Sequence, residues 1–335
     1  MKRDDFTYIK NQLYQVPDGT FAVEDHDQVS HTLSLFTEQL RSQTIGQGRM
    51  TVYPVFPGVE FSFSAFLAEQ ATFQHEPIPT VLEVNHCRMG RVGWSMKNGT
   101  SGYLGVGDLA LQSMAVCADS AMQFPLGYYE GISLSIDLNR FKENLPDVLS
   151  EAGINLHEIQ QKYCFADRTI LIPSGKELES IFEPLYELPG ALRLPYFQLK
   201  VQELILFLVR VDPKDRELTR YCSQQTQVIK EIHAFLTQDL GRRYTIEELS
   251  KQYLINTSTL KEVFKAVYGL PIATYMKEYR IKEAMKLLRE TDATIADIAE
   301  RVGYETQGKF TKAFKELTQT LPTQYRKSFR YTTEL

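Results

Sequence analysis

TIADIAERVGYETQGKFTKAFKELTQTLPTQYR, residues Thr294 to Arg326, reads as a helix, a tight turn and a second helix. Ile295, Ile298, Ala299 and Val302 recur at helical spacing, and the first helix ends at Gly303, a residue that takes positive φ without strain. Thr306 is placed to cap the next helix, whose apolar stripe is Phe310, Ala313, Phe314 and Leu317. The opposite face carries Gln307, Lys309, Thr311, Lys312 and Lys315. Cations suit phosphates and amides or hydroxyls suit base edges, which is what a helix lying in a major groove needs. An ordinary solvated helix face has the same look, so the reading leans on what stands fifty residues upstream.

The pattern occurs there a first time. TIEELSKQ, Thr245 to Gln252, matches TIADIAER, with Ile246 and Leu249 in the apolar positions and Ser250 where the later copy has alanine. Asn256 or Thr257 then caps a helix that buries Leu260, Val263, Phe264 and Val267. This helix presents Thr257, Ser258, Thr259, Lys261, Glu262 and Lys265, and Thr306 joins the corresponding set in the second copy. Between the copies runs Ile272 to Glu290, long enough for about five helical turns. One rigid helix joining two such units can set both recognition helices on one side of a duplex, roughly one helical turn apart.

Tyr275, Arg280, Ile281, Ala284, Leu287, Leu288, Ile295, Ile298, Ala299, Gly303 and Tyr304 fall at the spacing of a known signature. Phe310, Phe314, Lys315, Pro322, Tyr325 and Arg326 continue it. Over roughly its last hundred residues the chain resembles the AraC/XylS-type transcription regulators. That resemblance implies a sequence-specific DNA-binding domain over 227–330, double-stranded promoter DNA and RNA polymerase as partners, and activation as the usual outcome. Four positions depart from the family habit. Gln319 stands for glycine and Leu321 for Ser or Thr, while Gly308 and Lys309 replace the usual serine and aromatic. Gln319 should therefore end its helix in a left-handed conformation at a cost of about 1 kcal/mol, and Gly308 should weaken its helix by about as much.

Composition permits two domains, since 335 residues with 43% hydrophobic content supply two cores. A net charge of −5 argues against a nucleic-acid binder until the chain is divided. From Gln224 onward there are 18 Lys and Arg against 14 Asp and Glu, a net +4, and the preceding 19 against 28 give −9. A mildly basic module on an acidic body fits duplex binding through one end. No apolar run of about 18 residues and no leader-like N-terminus is present, so a cytoplasmic location without membrane contact is expected. Cys87, Cys117, Cys164 and Cys222 stand far apart, as free thiols do.

The fold expected is α+β: a small β-barrel or jelly-roll-like N-terminal sensor with a helical segment, then an all-α double helix-turn-helix domain. The N-terminal domain would span 1–212, with strands over about 49–137 and helices over about 138–211, followed by a polar linker at 213–226. Phe61, Phe63 and Ala65 alternate with Ser62 and Ser64, the period of a half-buried strand, and Lys97-Asn98-Gly99 signals a hairpin. Helices are predicted at Leu138–Ala152, Lys176–Glu187 and Pro195–Arg210. The last is apolar nearly all round, so it sits in a core or in a homodimer interface.

Three phrases narrow the resemblance: LEVNHCRMGR (Leu82–Arg91), FPLGYYEGISLSID (Phe124–Asp137) and YCFADR (Tyr163–Arg168). They look like the subgroup related to the pyochelin regulator, which implies sensing of a ferric siderophore and control of iron-uptake genes. A pocket for such a ligand needs an aromatic wall, and Trp94 is the one tryptophan. Strand alternation sets Arg88 on the face of Trp94 and Arg91 on the other if no bulge intervenes. The alternative is that Trp94 packs the barrel core and Arg88 makes a surface salt bridge. No H-x-H pair, P-loop or nucleophile elbow is present, so neither a catalytic residue, a metal ligand set nor a resident cofactor is expected. A domain serving only protein interaction or dimerisation is the alternative to a sensor, and a cupin-type enzyme is the least expected reading.

Overall fold

The computed structural model describes residues 5–25, 41–95, 99–116, 119–164, 169–212 and 218–331. It divides into a unit over Arg3–Cys222 and a unit built from Ser223–Leu335.

Among the described residues the first unit is an eleven-stranded sheet with helices packed on one face. Its centre is a hairpin of two long strands, β2 (Arg41–Phe56) and β3 (Val59–Gln74). Gly58 turns the hairpin at φ 82°, and a Cβ there would come within 2.9 Å of the Arg140 side chain. β1 (Thr20–Asp25) runs parallel to β2, and the other described pairings are antiparallel. β3 then splits its far edge. Its first half pairs with β9 (Tyr129–Asp137) and its second half with β8 (Asp119–Gln123). From β9 the sheet continues through β4 (Val81–Gly90) and β7 (Leu109–Ser113) to β10 (Ile170–Ile172). From β8 it continues through β5 (Val92–Ser95) and β6 (Thr100–Leu104) to β11 (Tyr221–Cys222). The barrel-like sheet expected from the sequence is thus a curled antiparallel sheet whose described ladder stays open.

Alternation assigns the faces. Phe61, Leu82, Val84, Leu109, Leu111, Ile132, Leu134 and Ile136 pack against the helices. The opposite face carries an apolar end of Phe66, Cys87, Trp94, Ala110, Phe124 and Leu171, and beside it a run of buried polar groups. α1 (Asp5–Gln12) covers Ala65 and Tyr128 with Ile9.

Several element boundaries differ from expectation. The helix predicted over Leu138–Ala152 is two helices, α2 (Leu138–Glu143) and α3 (Asp147–Glu151). Pro146 lies between them and cannot donate to a continuing helix. α4 (Leu156–Tyr163) went unpredicted. α5 (Lys176–Phe182) passes into a 3₁₀ turn over Glu183–Glu187, where Pro184 tightens the chain. α6 (Arg193–Arg210) buries Phe197, Val201, Leu204, Ile205, Phe207 and Leu208 in the core. Its other side leaves Leu199 61% exposed, with Leu206 and Val209 also in solvent. Strands extend beyond 49–137 at both ends, because β1 and the start of β2 precede it and β10 and β11 follow. The span 213–226 is not wholly a linker. Residues 213–217 lie outside the described part, Tyr221 and Cys222 pair with β6, and α7 begins at Ser223. Phe165–Arg168 of the YCFADR phrase, Cys117, and Lys97 and Asn98 of the expected hairpin are likewise outside it, although β5 and β6 do pair as a hairpin would.

The second unit is all helix: α7 (Ser223–Gln238), α8 (Ile246–Gln252), α9 (Thr257–Tyr268), α10 (Ile272–Glu290), α11 (Ile295–Arg301), α12 (Gln307–Thr318) and α13 (Pro322–Tyr331). α10 belongs to both halves. Ile272, Tyr275 and Met276 are buried near its start, and Ile281, Ala284 and Leu288 join the core of α11 and α12.

Candidate nucleic-acid interface

Each helix pair begins with the same local device. The Thr245 hydroxyl accepts from the Glu248 backbone while the Glu248 carboxylate accepts from the Thr245 N–H at 2.7 Å. Thr294 and Asp297 repeat the arrangement. Two of the N–H groups that a helix start leaves unpaired are satisfied reciprocally each time. The backbone and hydroxyl donors at Thr245 hold Glu248 below its ordinary pKa, and those at Thr294 do the same for Asp297. The second helices are capped by Asn256, which accepts from Thr259 N at 2.7 Å, and by Thr306, which accepts from Lys309 N at 3.2 Å.

With the caps fixed, the phase of each second helix is fixed. α9 buries Leu260, Val263, Phe264 and Val267; α12 buries Phe310, Ala313 and Phe314. Leu317, expected in that stripe, is 41% exposed, because it lies in the last turn of α12 beyond the reach of that core. On the free faces Ser258, Lys261, Glu262 and Lys265 of α9 are exposed, as are Thr306, Gln307, Lys309, Lys312 and Lys315 of α12. Thr257, Thr259 and Thr311 are partly covered. Local partners engage some of these groups. The Thr306 oxygen is engaged as the cap, and Lys309 forms an ion pair with Glu305 that keeps the carboxyl below its usual range.

The two pairs are tied to each other within the unit. Arg243, before α8, donates through Nε and Nη2 to the Gly303 carbonyl at 3.3 and 3.0 Å. Arg280 of α10 donates to the Leu240 and Arg242 carbonyls, both at 3.3 Å. At Gly303 the backbones approach so closely that a Cβ would stand 2.0 Å from the Leu240 carbonyl oxygen. His233 stacks on Tyr268, and its Nε2 lies 2.8 Å from the Tyr275 hydroxyl; burial lowers its pKa to about 4, so the ring is neutral near pH 7. Tyr325 receives a hydrogen bond from Arg289, and Arg326 donates to the Ala293 carbonyl at 2.6 Å. Several positions of the sequence signature are therefore staples. Sequence reasoning missed the part played by Arg243, and only a basic pair preceding a capping box could have signalled it.

In the first unit Trp94 packs in the apolar end of the sheet. Arg88 sits at the bulge between Cys87 and Met89, its guanidinium 4.3 Å from the Tyr186 ring centre and 3.0 Å from Glu130. Tyr186 packs against the helix-covered core, not against the Trp94 cluster. The bulge inserts one residue and breaks the alternation on which a shared Trp94–Arg88 pocket depended. Among the described residues no group of three or more His, Cys, Asp or Glu is placed to hold a metal ion, and no helix is long and apolar enough to cross a membrane.

Paired helix-turn-helix motifs braced by a shared helix define a class of double helix-turn-helix proteins. A helix-turn-helix domain family model matches residues 249–328. The transcriptional activator AarP of Providencia stuartii is 30% identical over 104 residues, covering 31% of this chain and 77% of AarP. A putative AraC-like transcription regulator of Streptomyces lividans is 37% identical over 92 residues, covering 28% of this chain and 30% of that one. The solved C-terminal domain of the two-component response regulator yesN of Fusobacterium nucleatum is 31% identical and covers 31% of this chain and 99% of that domain, with a TM-score of 0.28. The chain belongs to the AraC family of helix-turn-helix transcription regulators. It spans 22% to 37% of the length of the first curated relatives it matches.

Proposed function

We propose that this protein is a sequence-specific DNA-binding transcription regulator, acting in the cytoplasm as a ligand-responsive activator. One observation carries the reading: two capped helices with exposed polar and cationic faces stand on a single braced unit. Lys261 and Lys312, each opposite its buried stripe, are the side chains assigned to DNA, with Ser258, Gln307, Lys265 and Lys315 around them. The first unit receives a small molecule, and its binding favours the arrangement in which both motifs engage adjacent half-sites and RNA polymerase. The exposed Leu199, Leu206 and Val209 on α6 support self-association, since they leave an apolar stripe on a helix whose other side is already buried.

Control of iron-siderophore genes is what the subgroup resemblance adds, and it rests on the three sequence phrases. The test is retention of genomic fragments by the full chain, with and without iron-loaded siderophore, followed by sequencing. Enrichment of a few promoter-proximal sites that Lys261→Ala removes is expected. Retention that is uniform across sequences, and unchanged in Lys261→Ala and Lys312→Ala, would overturn the reading.

A further inference from the structure

The sheet face opposite the helices carries polar rows that the proposed function leaves unexplained. Register sets Glu60, Ser135, Glu83 and Gln112 side by side across β3, β9, β4 and β7. The next row is Ser62, Ser133 and Asn85. All seven are buried or nearly so, and Ser62 is 1% exposed with an Oγ that finds no hydrogen-bond partner among the described residues. Burying a hydroxyl without a partner is costly, so this one is positioned for a partner that the described residues do not supply.

Glu83 gives the chemistry. Ser135 Oγ donates to its Oε2 at 2.7 Å, and Ser133 Oγ donates to Asn85 Oδ1 at 2.7 Å. Among the described residues the groups acting on Glu83 are its burial, the Ser135 and Ser133 hydroxyls and the Glu60 carboxylate, and no basic side chain is among them. Burial and Glu60 raise its pKa to about 8. A buried carboxyl in this setting gains most from a cation, which restores the anion and cancels its desolvation cost. Glu60, Glu83 and Asn85 keep 6–7% of their surface accessible, so a molecule of water's size reaches this wall. Farther along the same face the rows give way to Cys87, Phe66 and Trp94, an apolar surface. At about 3.4 Å per residue, Cys87 lies roughly 14 Å along β4 from Glu83.

We infer that this face binds a small primary amine, its ammonium against Glu83 with the Ser62 hydroxyl accepting an N–H, and its apolar tail toward Phe66 and Trp94. This rests on the reading of the first unit as a small-molecule receiver and replaces the siderophore with a cationic ligand. The experiment titrates the full chain with phenethylamine and with n-alkylamines of two to six carbons, following Trp94 fluorescence and calorimetric heat. 2-Phenylethanol, phenylacetate and a ferric siderophore are the neutral and anionic comparisons. Saturable binding by at least one amine, tenfold or more tighter than its alcohol, is expected, with a tenfold loss in Glu83→Gln. Should Glu83→Gln fail to fold, Ser62→Ala takes its place and is expected to lose at least threefold. Equal binding of alcohol or carboxylate, preference for the siderophore, absence of binding by every amine, or unchanged affinity in a folded variant would each overturn the site. Retention of promoter DNA by the unliganded chain, measured alongside, tests the regulator reading separately.

Discussion

In the first helix-turn-helix the chain turns through Leu254 at φ 52°, and α9 closes on Gly269 at φ 85°. In the second it turns through Gly303 at φ 77°, and α12 closes on Gln319 at φ 60°. Both copies need a left-handed residue at both points, and each supplies glycine at a different one. The space around the turn explains half of this. At Gly303 the Leu240 carbonyl stands where a Cβ would go, so only glycine fits. Leu254 is 94% exposed, so the first turn tolerates a side chain at the cost of about 1–2 kcal/mol of backbone strain. Gln319 offsets part of its strain, since its backbone N–H reaches the Lys315 carbonyl at 2.9 Å and its side chain donates to Glu316 O at 3.0 Å.

The sharpest break in the comparison comes from the cores. Phe264 and Phe314 occupy the same place in the two motifs, and both are fully buried. Phe314→Ala is expected to cost about 3–5 kcal/mol, and Phe264→Ala a similar amount. Chemical denaturation of the full chain, followed by a probe in the helical unit, checks this. A loss under 1 kcal/mol in either would show that the helix phase read from the caps is wrong.

Gly303→Ala comes next, with an expected loss of about 2–4 kcal/mol from left-handed strain and collision with a backbone carbonyl. Leu254→Ala creates no such collision and keeps the same backbone, so it should stay within about 0.5 kcal/mol of the parent. Equal effects in thermal melts would mean that the Leu240 carbonyl does not crowd the second turn.

How much of this was legible beforehand follows from how local each determinant is. Cap residues, apolar stripes and the span Ile272–Glu290 lie within a few turns of chain, so the sequence shows them directly. The first unit read less well because its order is set by distant pairings. β10, three residues long, is defined only by its partner β7, and β1 only by β2. Arg88 and Trp94 pack in different clusters for a related reason: a bulge between Cys87 and Met89 is invisible in an alternating pattern. The polar rows were visible as Ser62 and Ser64 but looked like a solvent face. They are buried in the folded unit, where pairing across four strands brings them together, and no single strand encodes that.

On binding, the two motifs are expected to differ in kind. Lys261→Ala should cost about 1–3 kcal/mol on the cognate site and relax preference at one position, if it reads a base. Lys312→Ala should weaken all sequences alike and flatten the salt dependence, if it meets a phosphate. Lys309, held by Glu305, is expected to contribute less than Lys312. Binding isotherms on cognate and scrambled duplexes at several salt concentrations separate the three. Wild-type affinity and salt slope in both Lys261→Ala and Lys312→Ala would remove these faces from the DNA.

The smallest effects are the most diagnostic of the crossed pattern. Leu254→Gly and Gln319→Gly each remove left-handed strain, worth about 1–1.5 kcal/mol, and each adds back unfolded-state entropy of about 0.5–1 kcal/mol. Gln319→Gly also forfeits the side-chain hydrogen bond to Glu316 O. Leu254→Gly forfeits nothing comparable, because the leucine side chain is in solvent. The ordering expected is therefore Leu254→Gly more stabilising than Gln319→Gly, with the first gaining up to about 1 kcal/mol and the second near zero. Urea midpoints of the two variants and their double mutant measure this, and the two sites should add, since they lie in different motifs. Destabilisation by Leu254→Gly would mean that the exposed leucine is held by contacts in the folded protein, and the strain account of the first turn would then fail.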